Sequence, residues 1–236
     1  MALILNIETS TEVCSVSLAE NGTLLHKKES AEGMNHSRLL TVFIEELFAE
    51  SKISLKKLDA VSVSKGPGSY TGLRIGVSVA KGLCYGLGIP LISVNSLESL
   101  GIYATLNYTQ FSEVKPESKP LFCPMIDARR MEVYTALYDT AGEEIKPISA
   151  EIITGDFLQP ELEKHPVLFL GNGAAKCKNL LTNPNAIFAG PETTSAVFMQ
   201  KLSEKKFQLQ QFEDVAYFEP FYLKNFVATI PKNKVF

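Results

Sequence analysis

The stretch Val61–Leu83, VSVSKGPGSYTGLRIGVSVAKGL, decides how this chain is read. A β-branched alternation enters the turn Gly66-Pro67-Gly68 and leaves it as a helix rich in small residues. Strand, glycine loop and helix form the context in which backbone N–H groups face an anion at a helix N-terminus. The wording differs from the common phosphate binders. No lysine follows the glycine frame, Gly66, Gly68 and Gly72 make GxGxxxG, and Pro67 removes one donor. Spacing alone leaves phosphate binding and a tight structural connection both open.

The helix after the loop carries a second pattern. Gly72, Gly76, Ala80 and Cys84 fall at i, i+4 steps and make a ridge with little side chain, where another helix can approach, from the same lobe or from a partner. Glycine at 76 costs about 1 kcal/mol of helix propensity relative to alanine, so a contact should offset it. The preceding helix begins near His36 and runs to about Glu50. Its residues Leu39, Leu40, Val42, Phe43, Ile44, Leu47 and Phe48 spread over roughly 240°, wider than the stripe of about 100° that one core face needs. A helix apolar beyond its core face is expected to be buried twice. The reading is a joint protein-binding face made of Leu39, Leu40, Phe43, Ile44 and Leu47 with Gly72, Gly76, Val77, Ala80 and Leu83. A bulky residue at 76 or 80 is then expected to weaken a complex and spare the fold.

Outward from this stretch, Leu3 to Ile7 reads as a buried first strand, Cys14 to Leu18 as a second, and Asn21-Gly22 as a hairpin turn into Thr23 to Lys28. Pro90 to Val94 is a further strand, followed by a helix capped at Asn95 or Ser96. The order suggests a mixed sheet covered by helices. Tyr108 to Pro120 turns polar and proline-bearing, a linker or exposed loop between lobes covering 1–107 and 108–236, with the last segment packing back on the first. The second lobe starts with two strands around Asp127-Ala128-Arg129-Arg130, turns at Ala141-Gly142, continues with a strand from Pro166 to Leu170 that ends at GNGAAK, and has helical character from Thr194 to Lys205. It echoes the first lobe without a strict repeat.

The 236 residues, 45% hydrophobic, suffice for two small lobes. A net charge of -3 and pI near 5.7 argue against a free-standing nucleic-acid binder, so an RNA role needs a basic partner. Cys14, Cys84, Cys123 and Cys177 form no CxxC pair and read as reduced thiols of a cytoplasmic protein. The N-terminus lacks a basic n-region, and no apolar run reaches membrane-spanning length. His26, His36 and His165 make no i, i+4 pair, and there is no HExxH or GxSxG. Ser69 reads as a loop cap. Glu8 and Asp127 end strands in the two lobes, where carboxylates coordinate Mg²⁺, orient water or cap turns. Arg129 and Arg130 either clamp an anion or neutralise Asp127 and Glu132.

Several strings then coincide with a known family. ETS at Glu8 to Ser10, NHS at Asn35 to Ser37, SKGPGSYTGLRIG, IDARRMEVY and EPFYLK together resemble the TsaB (YeaZ) family, in order from Met1 to about Lys224. The resemblance implies an α/β, actin-like (ASKHA) fold of two RNase H-like lobes. It implies a non-catalytic subunit that binds and activates a TsaD-like transferase forming N6-threonylcarbamoyladenosine at position 37 of tRNAs reading ANN codons. Contact is expected through the first two helices. A TsaE-like ATPase would engage the assembled pair, tRNA would be held mainly by partners, and an isolated chain is expected to pair with its own copy. ATP and metal are expected on the partner subunits, with no cofactor here beyond weak nucleotide binding at a degenerate site of Glu8, Thr9, Ser10, Gly66, Gly68, Ser69, Asp127 and Arg129. TsaD-type sites use an HxxxH pair; the corresponding NSLESLGIYATL has no histidine. Glu8 stands where the family has aspartate, and Lys224 where its YLR motif has arginine. The rival readings are a small actin-like ATPase or kinase working at the cleft around Glu8, Ser10, the glycine loop and Asp127, and a peptidase.

Overall fold

The structure, a computed structural model, describes residues 2–32, 35–115 and 118–224. Met1, Gly33, Met34, Pro116, Glu117 and the end of the second-lobe range beyond Lys224 lie outside the described residues. The first sheet contains β1 (Leu3–Glu8), β2 (Cys14–Glu20), β3 (Thr23–Ser30), β4 (Ala60–Gly66) and β5 (Leu91–Asn95), in the order β3-β2-β1-β4-β5. The second contains β6 (Leu121–Asp127), β7 (Glu132–Tyr138), β8 (Glu144–Ile152), β9 (Val167–Leu170) and β10 (Ala186–Phe188), in the order β10-β9-β6-β7-β8. Reversed, that is the same arrangement. Each lobe has two antiparallel hairpin pairs and then two parallel pairs, β1 with β4 and β4 with β5, β6 with β9 and β9 with β10. The echo between the halves is therefore one topology used twice, without a sequence repeat to announce it.

Helices α1 (His36–Ser51) and α2 (Tyr70–Leu87) cover one face of the first sheet. Strand alternation explains why they do. Leu3, Leu5, Ile7, Val16, Leu18, Val61 and Val63 point to that face and pack with Leu40, Ile44, Leu47, Val77 and Ala80. The opposite face carries Ile4 and Ala60, with the buried polar residues Asn6 and Ser62 at the next positions along that face. Helix α5 (Gln200–Gln208) lies there, and its Ser203 hydroxyl donates to Asn6 Oδ1 at 2.6 Å and meets Ser62 Oγ at 2.8 Å. The serines of β4 are thus buried and bonded, where an alternating strand ordinarily turns polar residues to water.

Helix α3 (Ser96–Asn107) packs on β4 and β5 of the first sheet and on β6 and β7 of the second. Its cap is Asn95, whose side chain accepts from Leu97 N at 2.9 Å and Glu98 N at 3.3 Å, a contact contributing about 1 kcal/mol. The short α4 (Gln159–Leu162) closes the second lobe's apolar cluster with Leu162. In the β2–β3 turn both Asn21 (φ 51) and Gly22 (φ 68) are left-handed, the conformation an Asn-Gly hairpin requires.

After α5 the chain returns along the first sheet's edge. Glu213 N donates to Leu91 O at 2.8 Å, and Ser93 Oγ donates to Glu213 Oε1 at 2.5 Å. Lys81 of α2 donates to the carbonyls of Ala216 and Phe218, and Phe221 N donates to Lys65 O at 2.7 Å. No helix among the described residues is long and apolar enough to cross a membrane.

Candidate functional site

The glycine loop closes on the β1–β2 turn, backbone against backbone. Ser69 N donates to Ser10 O at 2.6 Å, and a Cβ on Gly68 would lie 2.2 Å from that same oxygen. Ser69 caps α2: its Oγ accepts from Gly72 N at 3.2 Å and its carbonyl from Leu73 N at 2.9 Å. Gly66 (φ +103) has Phe221 O 2.8 Å from where its Cβ would be. The donors that an anion would use at this helix start are in good part engaged within the chain.

Glu8, at the end of β1, is fully buried. Its Oε1 accepts from Ser10 N at 2.5 Å, while Thr9 N donates to Ser64 Oγ at 3.3 Å. Burial pushes the Glu8 carboxyl above its ordinary value, against the lowering effect of its Ser10 and Ser64 hydrogen bonds. The structure thus brings Glu8, Thr9, Ser10, Gly66, Gly68 and Ser69 into one cluster.

Asp127 and Arg129 stand in the second lobe. Asp127 Oδ1 accepts from Arg129 N at 2.8 Å and forms an ion pair with Lys176, whose ammonium also donates to Glu132 O at 2.7 Å. Of the two roles left open for Arg129 and Arg130, clamping an anion or neutralising Asp127 and Glu132, the second is filled by other residues: Lys176 pairs with the first carboxylate and Lys224 with the second, at 2.5 Å. Both arginines occupy left-handed backbone (φ 72 and 48), and Arg129 meets Asp127 through its N–H. Asn172 joins the lobes, accepting from Asp127 N at 3.0 Å and donating to Glu12 Oε2 at 2.8 Å. Asn172, Lys176 and Glu12 were missed in the sequence. The GNGAAK string marked the first two as a strand end, with no sign of their partners.

The helix pair needs a second correction. Gly72, Gly76, Val77 and Ala80 are buried inside the lobe and cannot present a bare ridge to a partner. A Cβ on Gly72 would come within 2.2 Å of Thr9 O, and one on Gly76 within 2.3 Å of Thr9 Oγ1. The small side chains let α2 sit on the β1–β2 turn. A bulky residue at 76 would therefore break the fold that it was expected to spare. Leu40, Ile44 and Leu47 likewise belong to the core, whereas Leu39, Phe43 and Leu83 are half-buried. Outward on α1 is Val42, and on α2 Ser78, Gly82, Tyr85 and Gly86, where a Cβ at either glycine meets nothing within 4 Å. His36 opens α1 from a buried position and donates through Nε2 to Thr11 O at 2.8 Å. All four cysteines are free and buried, and burial pushes the Cys123 thiol up to about 12.

Two RNase H-like lobes of one topology, joined at a cleft by their strand-end turns, define a protein of the actin-like fold class. The profile of the family described as "TsaD: tRNA N6-adenosine threonylcarbamoyltransferase" matches residues 29–232. The tRNA threonylcarbamoyladenosine biosynthesis protein TsaB of Escherichia coli (strain K12) is 30% identical over 247 residues, covering 95% of this chain and 96% of that protein. Its counterpart in Bacillus subtilis (strain 168) is 34% identical over 182 residues, covering 75% and 74%. A solved structure described as YeaZ from Pseudomonas aeruginosa shares the fold at TM-score 0.72 and 24% identity, covering 94% of this chain and 100% of that one. The chain belongs to the TsaB family of tRNA threonylcarbamoyladenosine biosynthesis proteins, within the wider family that the TsaD profile describes.

Proposed function

We propose that this chain is a non-catalytic subunit that binds and activates a TsaD-like transferase in forming N6-threonylcarbamoyladenosine on tRNAs reading ANN codons. The observation that carries the reading is the outer face of α1 and α2. Leu39, Phe43 and Leu83 are only half-buried by their own lobe, beside the open positions Val42, Gly82 and Gly86. Gly82 and Gly86 allow a partner helix to approach the backbone closely, and the surrounding apolar side chains supply area to bury.

The cleft supports a non-catalytic role. Glu8 sits in a medium that disfavours its charge, and Asp127 is paired with Lys176. ATP and metal chemistry then fall to the partner subunits, a TsaE-like ATPase acts on the assembled pair, and tRNA is held mainly by partner surface. In isolation the same helix face serves for pairing with a second copy.

The test is reconstitution of the organism's modification machinery with and without the chain, scored by nucleoside mass spectrometry. Modification is expected to collapse on omission, to return with wild-type or Glu8→Gln protein, and to stay lost with Gly82→Phe. Undiminished modification without the chain overturns the reading.

A further inference from the structure

A cavity of about 390 Å³ lies where the two lobes cross, two strands over from Glu8, with Ser15 of β2 paired to Glu8 on one side and to Glu29 on the other. Its walls come from the end of β3 (Lys27, Glu29), from α3 (Tyr103), and from the return of the chain out of the second sheet (Thr193, Ser195, Phe198). The volume is in the range of small-molecule sites. We propose that this cavity is a binding site for a compact ring-bearing amine, its ammonium on Glu29 and its ring against the Tyr103–Phe198 pair.

The polar end is built in advance. Glu29 Oε2 accepts from Ser195 Oγ at 2.8 Å and from Ser15 Oγ at 3.4 Å, and this fixes the carboxylate in place. Among the described residues Glu29 Oε1 is held by Lys27, at 2.5 Å, on a side chain that is 49% exposed. An exposed pair of this kind is worth little, so a ligand ammonium can take the place of the lysine at small cost. The other end is aromatic: the Tyr103 and Phe198 rings stack with centroids 4.0 Å apart. The two rings cover each other's inner faces, so it is their outer faces that attract a planar ring or a cation. Among the charged groups lining the cavity, Glu29 and Glu192 outnumber Lys27. That balance disfavours carboxylates and phosphates of the same size and selects for an amine.

The site is tested on the full chain alone, with no partner, so the outcome is independent of the proposed role in tRNA modification. The probes are tyramine and 3-(4-hydroxyphenyl)propionate, similar in shape and opposite in charge, titrated by calorimetry and by ligand-observed NMR. Tyramine is expected to bind saturably and the acid not to bind. Glu29→Gln, which keeps an acceptor for Ser195, should weaken tyramine by about tenfold, the size of a charge-assisted contact. Lys27→Ala should strengthen it, a change of opposite sign that misfolding would not produce. The absence of saturable tyramine binding, equal binding of the acid, or affinity unchanged in both variants overturns the proposal.

Discussion

Gly76 of α2 and Thr9 of the β1–β2 turn touch so closely that a Cβ on Gly76 would lie 2.3 Å from Thr9 Oγ1. That hydroxyl, on a fully buried threonine, donates to Gly72 O at 2.9 Å, so it cannot swing aside without losing a hydrogen bond. The contact places α2 against the first strand's end and so sets how the helix pair faces outward. Gly76→Ala is expected to destabilise the chain by about 1–3 kcal/mol despite its better helix propensity. Urea denaturation checks this, and a stability equal to or above wild type would contradict the packing.

Gly82 sits on the same helix with nothing within 4 Å of its Cβ position. Gly82→Ala should therefore stabilise the isolated chain by about 0.5–1 kcal/mol through propensity alone. Gly82→Phe should leave the isolated chain folded and abolish association with the transferase subunit in surface plasmon resonance. If association survives the phenylalanine, the outer face of α2 is not the contact.

The Glu8 carboxyl is raised from its ordinary value of 4.5 by burial. Its folded pKa therefore exceeds its unfolded one, and the folded state holds the extra proton between the two. Stability is lost as pH rises from about 4.5 through the folded value, and the full penalty persists above it. Glu8→Gln removes this dependence. Paired urea titrations upward from pH 4.5 should show the variant gaining on wild type as pH rises; parallel curves would place a freely ionised carboxylate at position 8.

Lys224 donates to both oxygens of Glu132, at 2.7 and 2.5 Å, and thereby joins the returning segment to the second lobe. Side chains this exposed, 47% and 20%, give small coupling. A double-mutant cycle with Lys224→Ala and Glu132→Ala should yield about 0.2–1 kcal/mol, shrinking with added salt. A larger, salt-insensitive coupling would mean that the pair is shielded from solvent.

Local chemistry by itself determined much of this protein. The β-branched alternations, the Asn21-Gly22 turn, the Asn95 cap and the apolar breadth of His36–Ser51 each act over a few residues, and each lies where the structure has the corresponding strand, turn or helix. Tertiary structure alone decided how those elements are rotated and paired. Two small-residue stripes run along α2 at the same spacing, through positions 72, 76 and 80 and through 78, 82 and 86. Periodicity describes both and cannot say which one meets the sheet. That choice depends on the backbone of the β1–β2 turn at Thr9, more than sixty residues away in the chain. Asp127 finds its cation at Lys176 instead of at the adjacent arginines because the left-handed Arg129-Arg130 turn brings a backbone N–H to the carboxylate, while the loop after β9 delivers the ammonium. Side-chain type says what a residue can bind, and only the closed fold brings together partners that lie far apart in the chain.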